Sequence, residues 1–168
     1  DPSMEGEEGD AILSDYAGDR RSCELPSFQR EYLMRVADEC DSPLILVVTG
    51  GAAVSLGPLA EKADAILWVG YPGQQGGQAV AEVLFGSHTP SGRLPFTVPA
   101  GDAQLPAYDD YAMEGRTYRF LQEQPEFPFG FGLSYTTFAY ESLELTSESL
   151  SAGEDLEATV TVRNTGSR

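Results

Sequence analysis

Glu5, Glu7, Glu8, Asp10, Asp15 and Asp19 fall within fifteen residues near the start of the chain, which opens DPSMEGEEGD. Carboxylates crowded this closely raise one another's pKa, so one can stay protonated near neutrality and act as a general acid. Cleavage of a glycosidic bond needs such an acid together with a second carboxylate. Residue types alone leave two other readings open: a solvated acidic loop and a calcium-binding loop.

Other stretches carry weaker chemistry. Glycines in VGYPGQQGG follow an apolar run and precede a helical one, where backbone N–H groups could meet an anion. Their spacing fits neither nucleotide-binding fingerprint and no lysine follows, so a tight turn over Gly73–Gly77 is the better reading. Arg116 and Arg119 flank Tyr118, and in so acidic a chain they read first as ion-pair partners, then as a sugar or carboxylate contact. No serine has the G-x-S-x-G context of a hydrolase elbow. His88 is the only histidine, and with two cysteines it makes no zinc pattern. Cys40 ends an amphipathic run and reads as a small core residue. No motif supports a Cys23–Cys40 bond.

Composition excludes several classes. The 168 residues are 41% hydrophobic, enough for a real core. Ten basic against 27 acidic residues give a formal charge of −17. That surface repels phosphate backbones and anionic lipid, so nucleic acid and membrane are not expected partners. No signal peptide and no apolar run of about 18 residues is visible. Together with two cysteines this leans toward the cytoplasm, with secretion the alternative. The abrupt start reads as the edge of an internal piece of a longer protein.

The positioning elements follow from periodicity. SFQREYLMRVADEC has apolar residues at Phe28, Tyr32, Leu33, Val36, Ala37 and Cys40, which is helical spacing with Ser27 as N-cap. LILVVTGG and AILWVGYPG are apolar runs closed by glycine, the profile of strands covered on both faces in a parallel sheet. PLAEKA and GGQAVAEVLFG are helices between and after them, the second stopped at Gly86. The alternation predicts an α/β layer with a mainly parallel sheet. From TPSGRLPFTVP to QPEFPFGFGLSY, proline, glycine and aromatics predict long ordered loops or edge strands. LEATVTVR then alternates strictly and YESLELTS weakly, the start of a half-buried antiparallel β-sandwich. Two strands cannot stand as a sandwich alone, so this second domain reads as cut short.

Three stretches in order, EGEEGD with a later GDR, ADAILWVGYPGQQGGQAVAEVLFGSHTPSGRLPFTVP, and PFGFGLSYTTFAYESLEL, strongly resemble glycoside hydrolase family 3, the β-glucosidase and β-xylosidase group. The resemblance implies a partial α/β sandwich domain over residues 1–135 and an incomplete fibronectin-III-like β-sandwich over 136–168. It implies a retaining β-glycosidase, β-glucosidase first, working without a cofactor on a β-linked oligosaccharide or glycoside. Its nucleophile is an aspartate of a barrel domain supplied by the rest of the protein or another chain. Its acid/base is a glutamate in an E-G-E-G-like loop, which places Glu7 in that role, with Glu5 and Glu8 as fallbacks. Asp19 and Arg20 then form an orienting ion pair. The competing class is a non-catalytic carbohydrate-binding or scaffold module of the same fold. Self-association is left open.

Overall fold

The computed structural model describes residues 22–107 and 109–167. Glu5, Glu7, Glu8, Asp19 and Arg20 therefore lie outside the described residues. Two compact units are formed, the described part of residues 1–80 together with 93–131, and residues 81–92 together with 132–168.

In the first unit, helix α1 (Ser27–Glu39) packs beside the short helix α2 (Pro58–Lys62). Strands β1 (Ile45–Thr49) and β2 (Ala65–Gly70) pair in parallel, Leu46 opposite Ile66 and Val48 opposite Trp68. Leu46, Leu56 and Leu59 form the buried core, with Leu33 and Met34 of α1, Ile66 of β2 and Phe127 packed against it. An ion pair between Lys62 and Asp38 links the two helices at the surface. Proline at the first position of α2 costs nothing there, because that N–H has no helical partner.

Local details depart from expectation. Pro26, not Ser27, caps α1, and no side chain caps it. Ser27 is the first helical residue, where its hydroxyl is past the position that reaches the free N–H groups. Cys40 is exposed and not in the core, because it is the residue after α1 and its extended backbone (φ −105°, ψ 122°) turns it off the apolar face. Both cysteines are free thiols. β1 is covered on one face only among the described residues: Leu46 is buried, whereas Ile45 and Val47 stay about half exposed.

The proline- and aromatic-rich segment is held by edge pairing. Val98 and Phe127 exchange backbone hydrogen bonds of 2.8 and 3.2 Å, and Leu94 pairs with Phe131 and Gly130 at 2.9 and 2.8 Å. Val98 is fully buried. A 3-10 turn (Asp102–Gln104) and a one-turn helix α4 (Thr117–Phe120) interrupt the loops between these pairings.

Helix α3 (Gly76–Leu84) follows β2 and ends as expected, with Gly86 at φ +74° and its N–H on the Val83 carbonyl. In the second unit the Tyr135 hydroxyl donates to that same carbonyl at 2.9 Å. Strands β3 (Phe138–Leu145) and β4 (Ala158–Asn164) pair antiparallel. The weak alternation of β3 has a physical cause. A bulge between Tyr140 and Ser142 shifts the phase, so Tyr140, Leu143 and Leu145 stand opposite Val162, Val160 and Ala158. Without the bulge, the strand's apolar residues would divide between the two faces. Glu141, the bulged residue, pairs with Arg163. The expected half-burial is absent among the described residues: every residue of β4 is exposed, because nothing described covers the apolar face.

Candidate active site

Residues 22–25, which follow the acidic stretch in sequence, form the stem at which the described structure begins. The stem is docked. Ser55 donates its N–H to the Cys23 carbonyl (2.7 Å), Leu25 donates to the Ser55 carbonyl (3.3 Å), and Glu24 bridges Ser55 in parallel. The Glu24 carboxylate pairs with Arg30 of α1 at 2.7 Å. On the other side, Cys23 donates its N–H to Asp102 Oδ1 at 2.8 Å, across 79 residues of sequence.

The segment that receives the stem is itself braced. Leu56 donates its N–H to Glu126 Oε2 at 2.8 Å. Burial pushes the Glu126 carboxyl above its ordinary value, partly offset by the Leu56 and Gly57 amides. The nearby Ser55 hydroxyl is buried and makes no well-formed hydrogen bond among the described residues. The Cys23 thiol is pushed up to about 12, first by burial and then by its hydrogen bond to the Asp102 carboxylate.

Gly101 presents Asp102 with φ at +153°, a conformation L side chains rarely adopt, and a Cβ there would lie 3.3 Å from Glu24 Oε1. Gln104 clamps the same turn, accepting the Ala100 N–H (2.7 Å) and donating to the Gln124 carbonyl (2.9 Å).

The two arginines do not pair with described carboxylates. Arg116 donates to the backbone carbonyls of Ala107, Asp110 and Ala112 and so knots its own loop. Arg119 donates to the Tyr118 hydroxyl at 3.0 Å. Among the described residues the contacts of Arg116 are thus carbonyls of its own loop and that of Arg119 is a neighbouring hydroxyl. Tyr118 stacks on Phe129, ring centres 4.4 Å apart, beside a mainly apolar groove of about 440 Å³ that also takes in Phe96, Leu105 and Arg116.

Gly73–Gly77 is a tight turn. Gly76 donates to the Gly73 carbonyl at 3.1 Å, and a Cβ on Gly76 would fall 2.4 Å from Pro72 Cγ. Glycine is required there by packing. Among the described residues no group of three or more His, Cys, Asp or Glu side chains could hold a metal ion, and no helix is long and apolar enough to cross a membrane.

Asp102 and Glu126 were not visible as site residues in the sequence. Each acts on a partner 70 or more residues away, and no local spacing marks either.

Comparison with known proteins extends the same pattern over the whole chain. A sequence model described as the glycosyl hydrolase family 3 C-terminal domain matches residues 1–135. A xylan 1,4-β-xylosidase of Xylanibacter ruminicola is 45% identical over 99% of this chain and 19% of its own length. A periplasmic β-glucosidase of Salmonella typhimurium is 37% identical over 90% of this chain and 21% of its own. The solved structure of a β-glucosidase from Erythrobacter marinus superposes with a TM-score of 0.76, at 38% identity, covering 98% of this chain and 22% of that one. The chain thus spans about a fifth of the length of the relatives it matches. A family match over most of the chain, with relatives and fold in agreement, shows that it belongs to glycosyl hydrolase family 3, residues 1–135 matching the family's C-terminal domain.

Proposed function

We propose that this chain is the acid/base-bearing part of a retaining β-glycosidase, with Glu7 as the catalytic acid/base and the nucleophilic aspartate in a barrel domain outside it. Residues 136–168 begin a fibronectin-III-like sandwich in this reading. The observation that carries it is the 45% identity to a xylan 1,4-β-xylosidase across nearly the entire chain, acidic loop included. The substrate class is a terminal β-linked sugar, glucoside or xyloside.

The chemistry assigns two jobs to one carboxyl group. Protonated, Glu7 gives its proton to the glycosidic oxygen as the bond to the anomeric carbon breaks and the nucleophile bonds to that carbon. Ionised, it then takes a proton from the water that hydrolyses the glycosyl–enzyme intermediate. A retaining pair stands about 5–5.5 Å apart, so the glutamate must be carried to a sugar held by another domain. A loop on a docked stem suits that task. The acidic neighbours Glu5 and Glu8 favour the protonated resting form.

Glu7→Gln in the full-length protein tests this. Turnover of an unactivated β-glycoside should fall by orders of magnitude, and that of an activated aryl glycoside, whose leaving group needs no proton, should fall less in the glycosylation step. Near-normal activity in Glu7→Gln with loss in Glu5→Gln or Glu8→Gln would move the role to a neighbour.

A further inference from the structure

We propose that the Tyr71 ring is a contact for a sugar ring of the β-glycoside substrate, presented at the carboxyl edge of the parallel β1–β2 pair. This rests on the reading of the chain as part of a β-glycosidase, and on no residue of the acidic stretch. Because β1 and β2 run parallel, both end at one edge, where the Gly50 N–H donates to the Gly70 carbonyl at 3.3 Å and ties the two exits side by side. In α/β sheets ligands bind in the crevice outside the carboxyl ends of the strands, where the turns leave backbone and side chains facing outward. Tyr71 is the first residue past β2, and it is 72% exposed. Exposure alone would not select it, since Phe85 and Tyr111 are more exposed still. Position and restraint together do.

A Cβ at Gly51 would lie 2.7 Å from Tyr71 Cε2, 3.4 Å from Cζ and 3.5 Å from Cδ2. The distance grows on both sides of Cε2, so the ring meets Gly51 by its edge and keeps its faces clear of it. The backbone on either side is held as well. Gly70 has φ +59°, and Pro72 packs on Gly76. Proline also confines the residue before it to extended backbone. Among the described residues nothing lies within 4 Å of where Cβ atoms of Gly73 and Gly77 would stand, so the turn that follows leaves open space. Such a ring is ordered before a ligand arrives, which spares the entropy of fixing it on binding.

The electron-rich face of the ring attracts polarised C–H groups. A β-linked glucose or xylose unit carries its hydroxyls around the rim and its C–H groups on two flat faces, so it offers the surface that such a ring takes. The formal charge of −17 disfavours an anionic ligand and leaves a neutral one unopposed. Tyr71 moves no proton in this role; it sets affinity.

The test measures, in the full-length protein, kcat and KM for xylobiose and cellobiose and the Kd of their thio-linked, uncleavable analogues. Tyr71→Ala should raise KM and Kd by about three- to tenfold, the loss of one aromatic contact, with kcat within about twofold. Tyr71→Phe keeps the ring and should stay within about twofold of wild type. Gly51→Ala pushes the ring aside, so it should raise both constants about as much and add nothing in a double variant with Tyr71→Ala. Unchanged KM and Kd in Tyr71→Ala overturn the proposal, as do additive losses in the double variant. A fall in unfolding temperature with both constants unmoved also overturns it, and makes the ring a packing surface for the rest of the protein. Should Tyr71→Ala misfold, Tyr71→Leu, which keeps bulk without an aromatic face, decides by the same constants. A wild type that binds and cleaves no β-glycoside sinks the reading of a β-glycosidase and this proposal with it. A wild type that does, beside an unaffected Tyr71→Ala, sinks this proposal alone.

Discussion

The contact between Cys23 and Asp102 can be read without any activity assay, through the thiol. With its pKa moved from 9.0 to about 12, Cys23 at pH 8 holds about a thousandfold less thiolate than an ordinary cysteine. A thiolate of higher pKa is a better nucleophile, and with a Brønsted slope of about 0.4–0.5 three units return roughly 15- to 30-fold. The thiolate deficit wins, leaving native Cys23 about 30- to 60-fold slower toward an aromatic disulfide reagent than the same cysteine in the unfolded chain. The measurement is modification of the Cys23 peptide at pH 8, followed by mass spectrometry, in native and urea-unfolded protein. Asp102→Asn keeps an acceptor oxygen but removes the negative charge that acts on the thiol, and it leaves burial, so it should recover part of the rate and not all of it. A native rate within about threefold of the unfolded one, or an unchanged rate in Asp102→Asn, refutes the reasoning, because both follow from the thiolate fraction. The sign of the stability effect follows as well. The folded protein holds the proton more tightly, so stability declines as pH rises from about 9 to 12.

Two further predictions concern the scaffold. Leu59 is fully buried among Leu46 and Leu56, so Leu59→Ala should cost about 2.7–5.0 kcal/mol and speed exchange of the slowest β1 amides by roughly a hundredfold or more; exchange unchanged within a few-fold would mean the cluster is not the core. Glu126 has its folded pKa raised above 4.5 by burial, so the stability it contributes is present below pH 4.5 and lost as pH rises through the folded value. The stability of wild type relative to Glu126→Gln should therefore drop between pH 4 and pH 7 in thermal unfolding, and a rise would show that the amide contacts outweigh burial.

The elements most legible in the sequence are those whose signal is local and periodic. α1 and α3 repeat an apolar spacing, β1 and β2 are unbroken apolar runs, and proline or glycine marks the start of α2 and the stop of α3. α4 has four residues, too few for any period to show. Cys40 read as core because periodicity says nothing of where the helix's last turn ends, and one residue past that turn points elsewhere. The bulge in β3 was hidden for a related reason: alternation assumes an unbroken register, and a single extra residue reverses the face of everything before it. The carbonyl contacts of Arg116 were not legible because net charge tells which groups attract an arginine and not which backbone the fold brings within its reach.

By itself the sequence determined the α/β layer and the family, because apolar period, turn residues and a long motif are all written in contiguous stretches. Tertiary structure alone decided what holds the backbone at Cys23 and Leu56. Asp102 reaches Cys23 across 79 residues and Glu126 reaches Leu56 across 70. Neither pair shares a local pattern, and each exists only because hydrophobic burial around Leu59 and edge pairing at Val98 bring distant backbone into hydrogen-bonding range.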